Sequence, residues 1–421
     1  MPLARALSDV AVWVRQAACE GAALLADALR PSPAATEGFL LLLGALAALM
    51  PGEREPLLLK KAADAVAAIF RELASDEAVS VLESVAAALL RAIAMATPQA
   101  EVGGEDGAAA AAATAALLTA LGAAAGAAAD LFAPLAPAAA GAVLPLLRPV
   151  GVGPTPAVCT PAVRSACLDA AGAVVASAWA EPPFRAAREE LAAAALRVLA
   201  DGQAPSEVRA SAHGFFACVA LASFEEFAPQ LPQVVPAAVE ALRVADGGEA
   251  GHGGSCRRRA VRTGAQEERV AAAEALGAYA AAVGSGFAVH FSVALPAICA
   301  QAQHASPEVR SAVAGALERM GRALGSLAGG LPDGSPDKAA AAGMAQAAVQ
   351  ALCGLIDGRG LEGAAALRSG LQAREDLAEC SDFIALVGPE AAAALAAAGA
   401  GRRAEDVESS DDEEEELEED R

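Results

Sequence analysis

Aromatic side chains are nearly missing from this sequence, at 3% of its residues, although 55% of the residues are hydrophobic. The apolar share is therefore carried mainly by Ala and Leu, which are strong helix formers, while the aromatic residues that favour strands are scarce. This composition argues against a β-sandwich or a β-barrel. It predicts a chain that is helical almost throughout.

The sequence also lacks the short motifs that carry common chemistry. It contains no GxxxxGK followed by Ser or Thr, no HExxH and no GxSxG. Its histidines are far apart, and His252 and Cys256, which stand close together in a Gly-rich segment, have no further ligand residues beside them. We therefore expect no catalytic residues, no cofactor and no metal site, and we predict that the protein is not an enzyme.

The cysteines form no CxxC pair and no spacing typical of secreted disulfide frameworks. The N-terminus has no apolar segment followed by a cleavage site, so no secretory signal is indicated. Both observations favour a reducing compartment, the cytoplasm or the nucleus. The eight cysteines are Cys19, Cys159, Cys167, Cys218, Cys256, Cys299, Cys353 and Cys380.

Long hydrophobic runs of the transmembrane type are absent except at residues 108–129, which contain no charge. Their length satisfies the requirement for a spanning helix. Ala and Gly dominate the segment, however, and these residues contribute little to membrane insertion compared with Leu, Ile, Phe and Val. We predict a helix packed within the protein, and no membrane as a partner.

What the sequence does contain is an internal repeat. Four segments align on Arg164, Arg209, Arg269 and Arg310, with spacings of 45, 60 and 41 residues. The long spacing includes a Gly-rich insertion at 244–262 without helical periodicity, and removing its 19 residues restores 41. A period of about 40 to 47 residues built from two helices is that of HEAT and armadillo arrays.

Each aligned segment is predicted to form the second, inner helix of a pair. In the last one, apolar residues recur at spacings of three and four, which marks one buried helix face. The preceding helices also match, because Phe227 and Pro236 correspond to Phe287 and Pro296 with an offset of 60. The apolar stripe of the last segment consists of Val309, Val313, Ala316, Leu317, Met320 and Leu324.

The predicted fold class is all-α, a HEAT/armadillo-type α-α superhelical solenoid. Residues 1–150 form degenerate helical repeats and residues 151–404 form HEAT repeats. The first helix begins at residue 3 without an evident polar cap, which predicts a section of a longer array. Further helices are predicted at 39–50, 56–74, 76–96, 337–357 and 382–398, and a first stripe at Leu3, Leu7, Val10, Val14, Ala17 and Leu24.

Formal net charge is −22, and residues 405–421 hold twelve acidic residues against one basic residue. This tail has too few apolar residues to pack and is predicted to be disordered. A polyanion repels phosphate backbones, so we expect basic proteins rather than nucleic acid as partners, with a solubility role as the alternative. The candidate cargo-binding residues are Asp411, Asp412, Glu413, Glu414, Glu415, Glu416, Glu418, Glu419 and Asp420.

Two groups of arginines have alternative readings. The four aligned arginines would line one edge of stacked repeats, either bonding carbonyls or carboxylates of the neighbouring repeat or forming a ladder for acidic ligands, and we favour the structural role. The cluster Arg257, Arg258, Arg259 and Arg262 lies in the insertion. It is either an anion-binding or nuclear-localisation-like patch or simply a solvated loop.

The block at 261–296, VRTGAQEERVAAAEALGAYAAAVGSGFAVHFSVALP, is followed by SPEVRSAVAGALERMGRAL and later by the run DDEEEELEED. Together they resemble the middle of importin-β (karyopherin-β) nuclear transport receptors, with the importin-4 branch as the nearest match. The resemblance is best from about 160 to 327 and extends to the position of the acidic run.

This resemblance implies a section of a nuclear import receptor, monomeric and shared between cytoplasm and nucleus. Such a receptor binds basic cargo, histones or ribosomal proteins, through its inner helices and acidic segments, and releases it when Ran-GTP binds. The family's Ran-binding arch has no counterpart here, so no Ran or nucleoporin contact residues are assigned. The alternative function is a generic HEAT-repeat scaffold that assembles protein complexes.

Overall fold

The computed structural model describes residues 2–29, 33–73, 75–100, 104–147, 159–244, 255–357 and 364–399. Of residues 33, 34, 75, 130 and 255–263 it describes the backbone alone. Every regular element in these ranges is an α-helix or a 3-10 helix, which confirms the all-α prediction for the described part of the chain. The structure divides into two compact units, residues 1–222 and 223–421.

In the first unit, several of the described connections between helices contain a 3-10 helix. The α-helices are α1 (Pro2–Ala6), α2 (Val12–Ala28), α3 (Pro33–Leu49), α4 (Pro56–Glu72), α5 (Ser75–Ala100), α6 (Gly104–Ala127), α7 (Ala129–Phe132), α8 (Ala136–Val143), α9 (Pro161–Ser177), α10 (Arg185–Ala200) and α11 (Ser206–Ser223). The 3-10 helices are Met50–Gly52, Ala133–Leu135, Leu144–Leu147 and Pro182–Phe184.

The second unit continues in the same style. Its α-helices are α12 (Leu231–Arg243), α13 (Ser255–Val283), α14 (Phe291–Ala300), α15 (Pro307–Gly329), α16 (Pro336–Asp357), α17 (Ala364–Glu379) and α18 (Ser381–Ala397), and its 3-10 helices are Phe224–Gln230 and Gly284–His290.

Each unit has two layers of helices, because helices that are not consecutive along the chain pack side by side. In the first unit α2, α4, α6 and α9 pack in sequence, and α3, α5, α8 and α10 form the other layer. In the second unit α13, α15 and α17 form one layer, and α12, α14, α16 and α18 form the other. We call the layer that contains the aligned arginine segments the B layer and its partner the A layer. A stack of A–B helix pairs is the arrangement that a 40-residue helical repeat predicts.

In three crossings between neighbouring B helices, a glycine at the same repeat position permits a close approach of the two backbones. A Cβ on Gly122 would lie 3.1 Å from the Ala170 Cα, one on Gly172 would lie 3.2 Å from the Phe215 Cα, and one on Gly277 would lie 2.9 Å from the Ala316 Cα. Gly172 and Gly277 stand eight residues after the aligned arginines of their own helices, and the contacted residues stand six after theirs. The register extends to α6, where the buried Thr114 takes the place of the arginine.

The aligned arginines hold the turn between the A and B helices. The Arg310 Nη1 donates to the carbonyl oxygens of His304 at 2.7 Å and Ala305 at 2.8 Å, and the Arg209 Nη1 donates to the carbonyl of Ala204. The Arg269 Nη2 donates likewise to the carbonyl of Val244. The predicted structural role is confirmed for these three residues. The carbonyls belong to the turn of the same helix pair, and the predicted contact to a neighbouring repeat is made by Arg269, whose Nη1 lies 3.1 Å from the His304 Nε2 in the turn of the next pair.

The predicted match between residues 227 and 287 is confirmed at the backbone. Both phenylalanines are buried, and each lies in a 3-10 helix, Phe224–Gln230 or Gly284–His290, that leads into an A helix. The first residue of each 3-10 helix has a positive φ, 50° at Phe224 and 56° at Gly284. The same chain path therefore recurs with the offset of 60 residues.

The prediction that Leu3 to Leu24 form one apolar face of a single helix is wrong. The chain turns between α1 and α2, where the Asp9 Oδ1 accepts a hydrogen bond from the backbone N–H of Ala11 at 2.8 Å. Val10 is consequently 95% exposed and Leu24 is 68% exposed. An aspartate that bonds the backbone two residues further on favours a turn over a continuing helix.

Two further differences concern the second unit. Residues 255–262, predicted as part of the non-helical insertion, form the first turns of α13, since Arg and Ala favour helix even beside glycines. Helix α17 was not predicted, although its Arg368–Ser369 pair repeats the Arg164–Ser165 and Arg310–Ser311 pairs.

The predicted boundary at residue 150 lies outside the described residues and stays a prediction.

Within the described part of the chain, five helical stretches are long and apolar enough to cross a membrane by length and composition alone, and the bent pair α17–α18 would make a sixth. The stretch at Gly104–Ala127 is α6, which packs against α4, α5 and α9. Packing on several sides explains why this helix carries no charged residue after its first turn, which holds Glu105 and Asp106. The predicted lack of a membrane partner stays a prediction.

The close approach at Gly277 gives a stability test. Gly277→Ala places a methyl group 2.9 Å from the backbone of α15, so α13 and α15 must move apart. We expect a loss of about 1 to 3 kcal/mol in the free energy of unfolding. Gly343→Ala, in α16 with open space around the added methyl group, should be neutral or stabilising by up to about 1 kcal/mol. Urea unfolding followed by circular dichroism separates the two, and an unchanged midpoint for Gly277→Ala would refute the account.

Buried His213 gives a pH test. Burial, with a further contribution from Arg209, lowers the pKa of His213 on α11 from 6.5 to about 4. Between these values the unfolded chain binds a proton that the folded chain does not, so stability falls as the pH is lowered. From pH 7 to pH 5 the loss due to this group is about 2 kcal/mol. His213→Gln should show a pH dependence of unfolding smaller by that amount, and an unchanged pH dependence would contradict the buried neutral histidine.

Candidate functional site

The predicted acidic cargo-binding residues, Asp411 to Asp420, lie outside the described residues, and so does His252. The side chains of Cys256, Arg257, Arg258, Arg259 and Arg262 are also outside what the structure describes. Their proposed roles stay predictions. The described residues show a different candidate surface, on the B layer of the second unit.

This surface contains a shallow groove of about 400 Å³ that runs along α15 and is flanked by α13 and α17. We call it the α15 groove. Six of the lining residues belong to α15, two belong to α13 and one lies at the start of α17. The lining residues are Val270, Glu274, Pro307, Glu308, Ser311, Ala312, Gly315, Arg319 and Ala365.

Helix periodicity explains why these α15 residues share a face. Glu308, Ser311, Gly315 and Arg319 are separated by three, four and four residues, which is one stripe on a helix. The opposite stripe is the predicted apolar one from Val309 to Leu324, and all six of its residues are buried, which confirms that prediction. Because Ser311, Ala312 and Gly315 are small, the middle of the exposed stripe is open.

Glu308 supplies negative charge at one end of the groove. Ser306 is the N-cap of α15, and its Oγ accepts a hydrogen bond from the Val309 N–H at 3.3 Å while its hydroxyl donates to the Glu308 carboxylate. The hydrogen bond from Ser306, together with the backbone at the helix N-terminus, lowers the pKa of Glu308. Glu308 is exposed, so its ionised carboxylate faces solvent at neutral pH.

Glu274 supplies a second carboxylate from α13. Its side chain is accessible, yet the neighbouring helices partly desolvate it, which raises its pKa, and the positive charge of Arg319 offsets part of that increase. Within the described part of the chain we find no hydrogen bond or ion pair to the Glu274 carboxylate. The group therefore has unused hydrogen-bond acceptors.

Arg319 lies at the other end of the groove, and its position depends on a glycine. Its Cδ lies 3.5 Å from the place where a Cβ on Gly277 would stand, so the arginine stem crosses α13 where that helix has no side chain. One turn further on, Arg322 bonds the Glu318 carboxylate and the Asp376 carbonyl. Among described residues, Arg319 has no such ion pair, and its guanidinium is exposed.

Among the described side chains of these B helices, accessible or partly accessible carboxylates outnumber guanidinium groups. The cations are Arg319 and Arg322 on α15 and Arg368 and Arg374 on α17, and Arg322 and Arg374 are already in ion pairs. A face with this balance attracts cationic side chains. The accessible or partly accessible acidic residues are Glu267 and Glu274 on α13, Glu308 and Glu318 on α15, and Glu375, Asp376 and Glu379 on α17.

The first unit repeats one part of this arrangement. Asp169 on α9 stands five residues after Arg164, as Glu274 stands five after Arg269. Its Oδ1 lies 4.0 Å from the place of a Cβ on Gly214, in α11. Burial raises the pKa of Asp169, and a hydrogen bond from Ser211 partly opposes that effect. Both units thus carry an acidic residue at the same repeat position of the B layer.

Sequence reasoning missed Asp169, Glu274 and Arg319, although the arginine alignment already placed the two acids at one repeat position. Among the described histidines, His213 is buried in α11, and burial lowers the pKa of His290. The described residues hold no group of three or more His, Cys, Asp or Glu side chains suited to a metal ion. The lack of metal and cofactor chemistry stays a prediction.

No family model matches this chain, and a comparison with curated proteins found none that matches its sequence. Solved structures do match its fold. Kap121p superposes with a TM-score of 0.64 at 15% identity, over 93% of this chain and 37% of Kap121p. Importin beta superposes with a TM-score of 0.56 at 16% identity, over 94% of this chain and 53% of importin beta.

A structure of Kap121p bound to Pho4p matches as well, with a TM-score of 0.59 at 16% identity, over 93% of this chain and 39% of that protein. The chain spans less than two thirds of the length of each of these structures. Identities this low establish the fold alone. The predicted HEAT-type α-α solenoid is therefore confirmed, and it is the fold that karyopherins have.

Proposed function

We propose that this chain is part of a nuclear transport receptor of the importin-β type that binds basic protein cargo on the B layer. The observation that carries the proposal is the acidic, accessible face of α13, α15 and α17 on a solenoid with the karyopherin fold. Similar structures support a binding role, because Kap121p has been crystallised with Pho4p and with Ste12p.

The chemistry of the α15 groove suits lysine or arginine side chains of an extended segment. The small residues Ser311, Ala312 and Gly315 leave room for an aliphatic stem, and Glu308 and Glu274 accept hydrogen bonds from its cationic end. The acidic residues 405–421 would raise the local concentration of basic cargo without a fixed geometry. In this proposal the protein binds and releases, performs no catalysis and needs no cofactor.

Finer parts of the proposal rest on sequence resemblance. These finer parts are histones or ribosomal proteins as cargo, release by Ran-GTP, nucleoporin contacts, the likeness to the importin-4 branch, a monomeric state and a distribution between cytoplasm and nucleus. A generic HEAT scaffold is the competing function, and it does not require an acidic cargo surface.

Binding of a lysine-rich histone-tail peptide, measured by titration at two salt concentrations, tests the proposal. The proteins are residues 1–421, a chain ending at Ala404, and the double variant Glu274→Gln/Glu308→Gln. Exposed ion pairs contribute about 0.2 to 1 kcal/mol each, so we expect the double variant to bind roughly threefold to tenfold more weakly at low salt. The difference should shrink at high salt, where screening is stronger.

The matched control removes two charges from the A-layer side of the same unit, Glu225→Gln/Glu240→Gln, where both residues are exposed. It should bind like the unaltered protein. Weak binding that is equal for every protein would contradict the proposal and favour the generic scaffold. A loss confined to the chain ending at Ala404 would assign cargo capture to the tail and remove the groove from the proposal.

A further inference from the structure

The charges of the α15 groove are separated along its length. Glu308 lies in the first turn of α15, and Arg319 lies eleven residues further along the same face. At a rise of about 1.5 Å per residue, the two are about 16 Å apart along the helix axis. Between them are Ser311, Ala312 and Gly315, which carry no charge. The α15 wall of the groove therefore has a negative end and a positive end, and Glu274 of α13 lies near Arg319.

The charged groups at both ends of the groove can bind a ligand. Glu308 stays ionised because the Ser306 hydroxyl and the helix N-terminus stabilise its charge, and it remains exposed. Arg319 is exposed and makes no ion pair with any described residue, whereas the nearby Arg322 is bonded to Glu318 and Asp376. A purely cationic segment would leave the Arg319 donors unused and would place a like charge beside them.

Arg319 is also held in place, which favours a specific contact over a diffuse one. Its stem packs over Gly277 at the point where α13 and α15 come closest. Glu274 lies near Arg319 but forms no ion pair with it, and its negative charge reduces the positive potential around the guanidinium. The attraction between Arg319 and an anionic ligand group is therefore modest.

On the basis of the proposed function, we propose that Arg319 is a specificity-determining residue, and that the groove selects an extended segment of mixed charge. The cationic side chain lies at Glu308 and a carboxylate lies at Arg319. An extended chain rises about 3.3 Å per residue, so it covers the 16 Å between the two ends in about five residues. The ligand is therefore a segment with a basic and an acidic side chain about five positions apart.

Two probes of identical composition and net charge test this inference. Both are twelve-residue, fluorescein-labelled Gly/Ser peptides with one lysine and one glutamate, five positions apart in the spaced probe and adjacent in the other. Fluorescence anisotropy with residues 1–421 at low salt measures their affinities. We expect the spaced probe to bind about threefold more tightly, the size of one exposed ion pair.

The preference should disappear in Arg319→Gln and should persist in Arg322→Gln, whose arginine is engaged with Glu318 and Asp376. In Arg319→Glu, the spaced probe should become the weaker of the two. Equal affinity of the two probes for the unaltered protein would overturn the inference, as would a preference that survives Arg319→Gln. Failure to bind either probe would overturn it too.

These outcomes are distinct from those of the proposed function. If lysine-rich peptide binding still depends on Glu274 and Glu308 while the spacing preference is absent, cargo binding stands and the role of Arg319 falls. If the lysine-rich peptide binds every protein equally weakly, the proposed function itself fails.

Discussion

The close packing of successive B helices is the constraint on which the other features depend. At each measured crossing a glycine brings one helix backbone within about 3 Å of the place where its missing Cβ would stand, Gly277 over Ala316 being the tightest. This approach fixes the register of the repeats and sets neighbouring B faces side by side. It also leaves the space over Gly277 in which the stem of Arg319 lies. Binding surface and helix packing thus share one residue.

Because the register is fixed, residues at equivalent positions of the repeats lie at equivalent places on the B layer. The arginine near the start of a B helix bonds the carbonyls of its own turn and is used structurally, as Arg310 shows. The position five residues later faces out and is acidic at Asp169 and Glu274. Under the proposed function, a face of small residues with carboxylates at intervals binds extended chains mainly through charge, which suits reversible association.

Much of the fold was predictable because the hydrophobic period and the repeated arginines are local signals. The stripe from Val309 to Leu324 is buried as its spacing indicates. Local signals failed where a short-range bond overrode them, as at Asp9, which turns the chain between α1 and α2. The groove was not predictable, since it depends on which B helices are neighbours and on how closely they approach. The Arg368–Ser369 pair that marks α17 was present in the sequence and was missed.

The most direct test of the central claim is to locate the bound cargo segment on the full chain. A lysine-rich peptide carrying a photoactivatable benzophenone beside a central lysine, cross-linked to residues 1–421 and mapped by mass spectrometry, reports the contact residues. We predict adducts on α13, α15 and α17, clustered around Ser311 and Gly315 and suppressed by excess unlabelled peptide. Competed adducts confined to the A helices α12, α14 and α16 would contradict the account.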